Sequence, residues 1–159
     1  MNKYTRKIER MSRIGLWGSV AAVILTVAFI YSPWRFTVLA YTSKWMLIAG
    51  TVLAVLAVSM ALLSTRRTVA TFRQCEQLSQ KLAGYSQHIS QLYGTMLAVV
   101  TILCCLTLLS GRNVLLMLAM VSALVLFLTF PNIYRVKIDL GLTDDEMKEL
   151  YGDRYISGQ

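Results

Sequence analysis

Four long apolar runs set the pattern of this chain, and shorter polar segments separate them. None of the runs contains Asp, Glu, Lys, Arg or His. Each approaches the roughly 17 to 25 residues that an α-helix needs to cross a bilayer. The pattern therefore predicts four transmembrane helices. The predicted spans cover residues of about 14–31, 45–64, 93–110 and 114–130.

The composition agrees with a membrane protein. The chain is 56% apolar with a mean hydropathy of +0.56, and only 15% of its residues are charged. These values lie outside the range of a soluble globular domain. We therefore expect an all-α integral membrane protein in which residues 1–131 form an antiparallel four-helix bundle and residues 132–159 form a cytoplasmic tail.

The net charge of +8 is better explained by the orientation of the chain in a membrane than by binding of nucleic acid, because the basic residues border the apolar runs. With the N-terminus inside, only Arg35, Lys44 and Arg112 of the 16 Lys and Arg residues fall outside. The positive-inside rule then predicts cytoplasmic termini. We expect the membrane to be a bacterial inner membrane. Basic residues beside helix ends also predict contact with anionic lipid headgroups. We expect no nucleic-acid partner.

Small residues recur at alternating intervals of four and three in three of the spans. In lipid, such spacing lets helix backbones approach closely. We therefore expect spans two and three to pack along their small faces as an antiparallel pair, and the chain to join a homo-oligomer or a partner membrane protein. The predicted helix-packing residues are Gly15, Ser19 and Ala22 in span one, Gly50, Ala54, Ala57, Ala61, Ser64 and Thr68 in span two, and Gly94, Ala98, Thr101 and Cys105 in span three.

The segment between spans two and three predicts a helical cytoplasmic hairpin at about 65–92. No Gly or Pro occurs from Thr51 to Ala83, so the helix of span two is expected to continue beyond the membrane. Gly84 is the expected turn, with Ser86 able to cap the returning helix. Possible contacts to a partner or a headgroup on this hairpin are Arg66, Arg67, Arg73 and His88.

The tail changes character after Pro131. Apolar and polar residues alternate from Tyr134 to Leu140, which predicts an extended segment. A short helix at about 144–151 should follow, because Thr143 and Glu146 fit a capping box. Such a short helix is marginal alone, so its apolar side should dock on the hairpin, the membrane interface or a second protein. That side carries Leu142 against Met147 as a hydrophobic staple, together with Leu150 and Tyr151.

No residue pattern in the chain predicts catalysis, a metal site or a cofactor. His88 is the only histidine, and Cys75, Cys104 and Cys105 fit small packing residues better than a metal or redox site. The leading hypothesis is a non-enzymatic assembly, scaffold or accessory subunit. One alternative is a homo-oligomeric pore or a protein that handles lipids or small molecules. A weaker alternative is an enzyme that acts on a lipid headgroup through the basic residues of the hairpin and His88.

Overall fold

The computed structural model describes residues 3–32, 43–73 and 77–152, without the side chains of residues 43, 66–68 and 73. Throughout these ranges the regular structure is helical, which confirms the all-α prediction. The helices are α1 (Lys3–Tyr31), α2 (Ser43–Arg73), α3 (Leu78–Ser110), α4 (Asn113–Leu128), α5 (Ile133–Leu140) and α6 (Asp144–Tyr151).

Three of the described helices are long and apolar enough to cross a membrane, namely α1, α2 and α3. Helix α4 has only 16 residues. It forms a bent pair with α5 across a short break, at an angle of 76°, and the number of candidate spans is four if this pair counts as one. The described part of the chain thus contains three to four candidate membrane helices.

Contacts between the helices define their relative directions. Gly15 and Gly18 of α1 lie against Tyr93 and Leu97 of α3, so these two helices run in parallel. Gly50 of α2 instead lies near Leu103 and Leu106, close to the other end of α3. Since residues further along α2 meet earlier residues of α3, these two helices are antiparallel.

Helix α4 runs back along α3. The Tyr93 hydroxyl donates a hydrogen bond of 3.1 Å to the carbonyl oxygen of Leu126, near the end of α4. Leu115, near the start of α4, packs in one buried cluster with Leu103. The turn between the two helices is made by Gly111, whose left-handed backbone (φ 65°) ends α3. The four long helices therefore alternate in direction along the chain.

The large face of α3 forms the centre of this bundle. Its fully buried side chains recur at intervals of three and four, at Tyr93, Met96, Val100 and Leu103. Small residues lie opposite them. A Cβ atom added at Gly15 would come within 2.7 Å of Tyr93 Cδ1, and one added at Gly50 would come within 2.5 Å of Leu115 Cδ2. Large side chains of one helix thus fill the space that small residues of its neighbours leave open.

The α3 small face, defined as Gly94, Ala98, Thr101 and Cys105, lies on the opposite side of the same helix. All four residues are exposed, and a Cβ atom added at Gly94 would have no neighbouring atom within 4 Å. The expected pairing of spans two and three along both small faces is therefore wrong. Small against small would leave voids, whereas the large face of α3 fills the groove beside α2.

The turn between α2 and α3 also differs from the prediction. Helix α2 ends at Arg73 and α3 begins at Leu78, with Gln77 as its N-cap. Gly84 lies inside α3, where an added Cβ atom would collide with the ring of Phe72. Ser86 donates its hydroxyl to the carbonyl oxygen of Ala83 and caps no helix. Glycine is needed here for close approach of two antiparallel helices, and not for a change of direction.

The sequence predicts an extended segment in the tail, but these residues form helix α5. The prediction is wrong. Asn132 caps α5, accepting a hydrogen bond of 2.8 Å from the backbone N–H of Tyr134. Val136 and Leu140 share one helical face and are both fully buried. In only eight residues, alternation and a one-sided helical pattern overlap, and the Asn132 cap together with the buried face favours the helix.

Helix α6 begins with the predicted capping box. The Thr143 N–H donates to Glu146 Oε2 at 2.7 Å, and the Glu146 N–H donates to Thr143 Oγ1 at 3.3 Å. Leu142 and Met147, the expected hydrophobic staple, are both buried. The capping box is confirmed, and the two staple residues lie in the same buried cluster.

Candidate functional site

The tail docks on the helices of its own chain. Val136 and Leu140 of α5 and Met147 and Leu150 of α6 belong to one buried cluster with residues of α1 and α3. The apolar side of α6 is therefore covered in cis, and Met147, Leu150 and Tyr151 are buried and not available as partner contacts. We call this cluster the tail core. Its members from the long helices include Ile8, Leu82, Tyr85 and Ile89.

Polar contacts reinforce the tail core. The Tyr85 hydroxyl donates a hydrogen bond of 3.0 Å to Asp139 Oδ2, and Arg135 lies 3.8 Å from the same carboxylate oxygen. Burial, followed by the negative charge of Glu9, raises the pKa of Tyr151 to about 12. Tyr151 therefore stays neutral at physiological pH. These contacts hold α5 against α3 and place α6 close to the start of α1.

A pocket of about 190 Å³ lies between α2 and α3. Short side chains at Ala57 and Ala61 leave this space open. Because the two helices are antiparallel, Ser64, His88 and Gln91 line the end nearer the tail core, and the opposite end is mainly apolar. We call it the His88 pocket. Its lining is Ala57, Met60, Ala61, Ser64, His88, Gln91, Leu92, Thr95 and Met96.

His88 is one of the residues that line this pocket. Its Nε2 atom is buried and makes no hydrogen bond to any described residue. The Ser64 hydroxyl donates to the carbonyl oxygen of Ala61 in its own helix, at 3.3 Å. No group of three or more His, Cys, Asp or Glu residues within the described ranges is arranged to hold a metal ion. The lining of the pocket therefore combines polar side chains at one end with mainly apolar side chains at the other.

A basic surface lies at the start of α1. Arg6, Arg10 and Arg13 are exposed at intervals of four and three, and with Glu9 and Ile14 they line an open groove of about 350 Å³. Arg13 also pairs with Glu9 at 3.9 Å. Guanidinium groups spaced along one helix face match the phosphates of anionic lipid headgroups.

The remaining predicted residues divide into several groups. Gly15, Ser19, Gly50, Ala54 and Ala61 are buried, and Ala22, Ala57 and Ser64 are half-buried. The small faces of α1 and α2 thus pack within the chain, whereas that of α3 is exposed. The predicted packing residue Thr68 and the predicted contacts Arg66, Arg67 and Arg73 lie outside the described side chains.

Sequence reasoning missed the residues that connect the parts of the molecule. Tyr85 and Asp139 join the tail to α3, and Tyr93 joins α3 to both α1 and α4. One signal was present for α3. Tyr85, Ile89, Leu92, Met96, Val99, Val100 and Leu103 form a continuous apolar stripe in the sequence, which indicates a buried face more directly than the small residues beside it.

Comparison with protein-family models, with curated proteins and with solved structures found no significant match to this chain.

Proposed function

We propose that this chain is a non-enzymatic inner-membrane protein of bacterial type that acts as an assembly, scaffold or accessory subunit. The observation that carries the proposal is the open α3 small face. Gly94, Ala98 and Cys105 are exposed along it, and the Thr101 hydroxyl donates to the carbonyl oxygen of Leu97, which leaves the face without an unsatisfied polar group. In lipid, a face of this kind favours close packing against a helix of another chain.

The docking of the tail supports four spans with both termini on one side. Ile8 near the start of α1 and Leu150 of α6 lie in the same buried cluster, so the first and the last described helices meet at one end of the bundle. An even number of crossings is required for that arrangement. Helix α4 is then the fourth span, about 24 Å long at 1.5 Å per residue. The hydrocarbon core is about 30 Å thick, so α4 crosses with the help of its flanking residues or local thinning.

The charges support cytoplasmic termini. Arg6, Arg10 and Arg13 lie on the same end of the bundle as the tail core, and the tail contributes Arg135 and Lys137. This end therefore faces the cytoplasm under the positive-inside rule. The exposed Trp17 follows the arginines along α1, at the depth where an aromatic ring prefers the boundary between headgroups and acyl chains.

Disulfide cross-linking in native membranes tests the proposal. Cys104 is buried and Cys105 is exposed, so the two neighbours form a matched pair. With Cys75 replaced by Ser, chains that keep only Cys105 should form cross-linked dimers on oxidation, or adducts with a partner. Chains that keep only Cys104 should not.

The variant Gly94→Leu should abolish the Cys105 cross-link without unfolding the chain, since the site has open space around it. Ile102→Leu, a substitution at an exposed residue of the same helix, is the control. Native mass spectrometry in a mild detergent provides a second readout. A strictly monomeric particle with no co-purifying protein and no Cys105 cross-link would contradict the proposal.

A second candidate function is a pore or a protein that handles lipids or small molecules. The His88 pocket favours it, because the pocket joins polar and apolar surfaces between two membrane helices. Flux of ions and of labelled lipid across liposomes containing the purified protein tests this candidate. The absence of both would remove it.

A further inference from the structure

We propose that the arginine groove at the start of α1 binds the phosphate of one anionic phospholipid, whose acyl chain lies along the exposed apolar side of the same helix. The lipid belongs to the leaflet at the tail-core end of the bundle. This inference rests on the chain lying in a membrane, and it does not depend on whether the α3 small face binds a second chain. The arginine groove is the open groove of about 350 Å³ that is lined by Arg6, Glu9, Arg10, Arg13 and Ile14.

The arginine groove continues into the side of α1 that faces away from the bundle. The buried residues of α1 lie on the opposite side, at Thr5, Ile8, Ser12, Gly15, Ser19 and Thr26. Arg10, Arg13, Trp17 and Ile24 follow one another at helical intervals of three, four and seven, and all four are exposed. When α1 spans a membrane, Trp17 and Ile24 therefore contact lipid. A phospholipid beside them has its phosphate at the end of the helix that carries the arginines.

The arginines lie at the depth of the lipid phosphates. Arg13 immediately precedes the predicted first span, which begins at residue 14. In a helix along the membrane normal, Arg10 lies about 4.5 Å and Arg6 about 10.5 Å further from the hydrocarbon core than Arg13. The headgroup layer on each side of the core is roughly 5–8 Å thick. Because helical side chains tilt toward the N-terminus, the Arg13 side chain is directed into this layer, where Arg10 also lies.

The charges of the groove favour an anionic lipid over a zwitterionic one. Three guanidinium groups and one carboxylate line the groove, which therefore has a net charge of +2. Arg13 lies 3.9 Å from Glu9 and its side chain is 66% exposed, so this surface ion pair is weak. Arg10 forms no ion pair with a described acidic residue. Guanidinium groups donate strong hydrogen bonds to phosphate oxygens, and the excess positive charge repels the ammonium of a zwitterionic headgroup.

Quenching of Trp17 fluorescence by brominated lipids tests the inference. Trp34 and Trp45 are replaced by Phe, so that Trp17 is the only tryptophan. The full chain is reconstituted in vesicles with equal amounts of phosphatidylglycerol and phosphatidylcholine, and one lipid at a time carries bromine on its acyl chains. Brominated phosphatidylglycerol should quench more, with an enrichment beside Trp17 of about fivefold or more. Equal quenching by the two lipids would overturn the inference.

A pair of substitutions distinguishes the groove from diffuse attraction to all the basic residues. Arg10→Gln should lower the enrichment about fivefold, the effect of one basic side chain at an anionic surface. Lys7→Gln removes the same charge from an exposed residue of the same helix that does not line the groove, and it should leave the enrichment nearly unchanged. Both side chains are exposed, so the fold should be kept. Equal losses in the two variants would overturn the groove as the site.

A free phosphate ion presents the same charged oxygens as the lipid. Replacing chloride by inorganic phosphate at constant ionic strength should leave the quenching ratio of the two lipids unchanged, because the ion lacks the acyl chain that contacts the apolar side of α1. Loss of the preference for phosphatidylglycerol under these conditions would overturn the lipid as the occupant.

Discussion

Helices α2 and α3 carry the same spacing of small residues, but the small face of α2 turns inward and the small face of α3 is exposed. Gly50, Ala54 and Ala61 of α2 are buried, and Leu103 and Leu115 lie against Gly50 and share a buried cluster with Ala54. The α3 small face has the same intervals of four and three, yet it is exposed throughout. A helical interval thus shows which residues share a face, and it does not show which face turns inward.

The difference comes from what lies on the other side of each helix. The buried face of α3 includes Tyr93 and Leu103, whose large side chains lie against Gly15 of α1 and Gly50 of α2. The side of α2 away from α3 carries Val52, Val55 and Leu56, which are exposed. A bundle fills its interior best when large side chains of one helix meet small residues of another. The small face of α2 is thus occupied within the chain, whereas the small face of α3 is exposed.

Truncating a large side chain on the buried face of α3 should have the largest effect on the comparison. Leu103→Ala should lower the free energy of unfolding by about 2–5 kcal/mol, because it removes a fully buried side chain and leaves a cavity. Ile102→Ala, at the exposed neighbouring residue, should change it by less than about 1 kcal/mol. Unfolding in mixed micelles with increasing denaturing detergent measures both variants. Similar losses for the two would mean that the large face is not the inner face.

Enlarging equivalent small residues on the two faces gives the most direct comparison. Ala54 is 3% exposed, and Ala54→Leu should cost about 1–3 kcal/mol through overpacking. Ala98→Leu should leave the stability of the single chain unchanged, since Ala98 is exposed. It should instead weaken association with other chains. Thermal unfolding and native mass spectrometry measure the two effects, and a reversed result would show that the faces have been assigned the wrong way round.

Removing the link between the tail and α3 should have a smaller effect. Tyr85→Phe deletes the hydrogen bond to Asp139 and should cost about 1 kcal/mol. Hydrogen exchange in α5 should rise, because less energy then holds the tail on the bundle. Tyr31→Phe, at a residue that is 81% exposed, is the matched control. Unchanged exchange in α5 would show that the apolar contacts of the tail core suffice.

Low pH should destabilise the start of α6. This is the smallest of the expected effects. Hydrogen bonds from the Thr143 backbone N–H and hydroxyl hold the pKa of Glu146 below its ordinary value of 4.5. The stabilisation is therefore complete above pH 4.5 and is lost as the pH falls through the lower pKa of the folded chain. Hydrogen exchange of α6, corrected for the intrinsic effect of pH, should increase in that range. Glu146→Gln should remove this dependence, and an unchanged pH profile in that variant would contradict the assignment.

Local features of the fold followed well from the sequence. The helical character of the apolar runs and the capping box at Thr143 and Glu146 depend on residues within a few positions of one another. Where two local patterns competed, the prediction failed. Residues 134–140 fit both an extended segment and a helix, and burial of Val136 and Leu140 against distant parts of the chain favours the helix.

The candidate sites depended more on tertiary structure. His88 was visible as the only histidine, but the pocket around it exists because Ala57 and Ala61 of another helix lie opposite. Gly84 was visible in the sequence as an interruption in a helical segment. A glycine is needed there because the ring of Phe72 on the preceding helix lies too close for a Cβ atom. A sequence lists the residues of each face and does not state which residues of a distant segment oppose them.

The sequence by itself determined that the chain is helical and suited to a membrane, where its apolar runs begin and end, and how α6 is capped. Each of these depends on local hydrogen bonding or on the length of an apolar run. Only the tertiary structure decided that the small faces of α1 and α2 turn inward, that the small face of α3 turns outward, and that the tail covers its own apolar side. These outcomes depend on how side-chain volumes fit together across helices far apart in the chain.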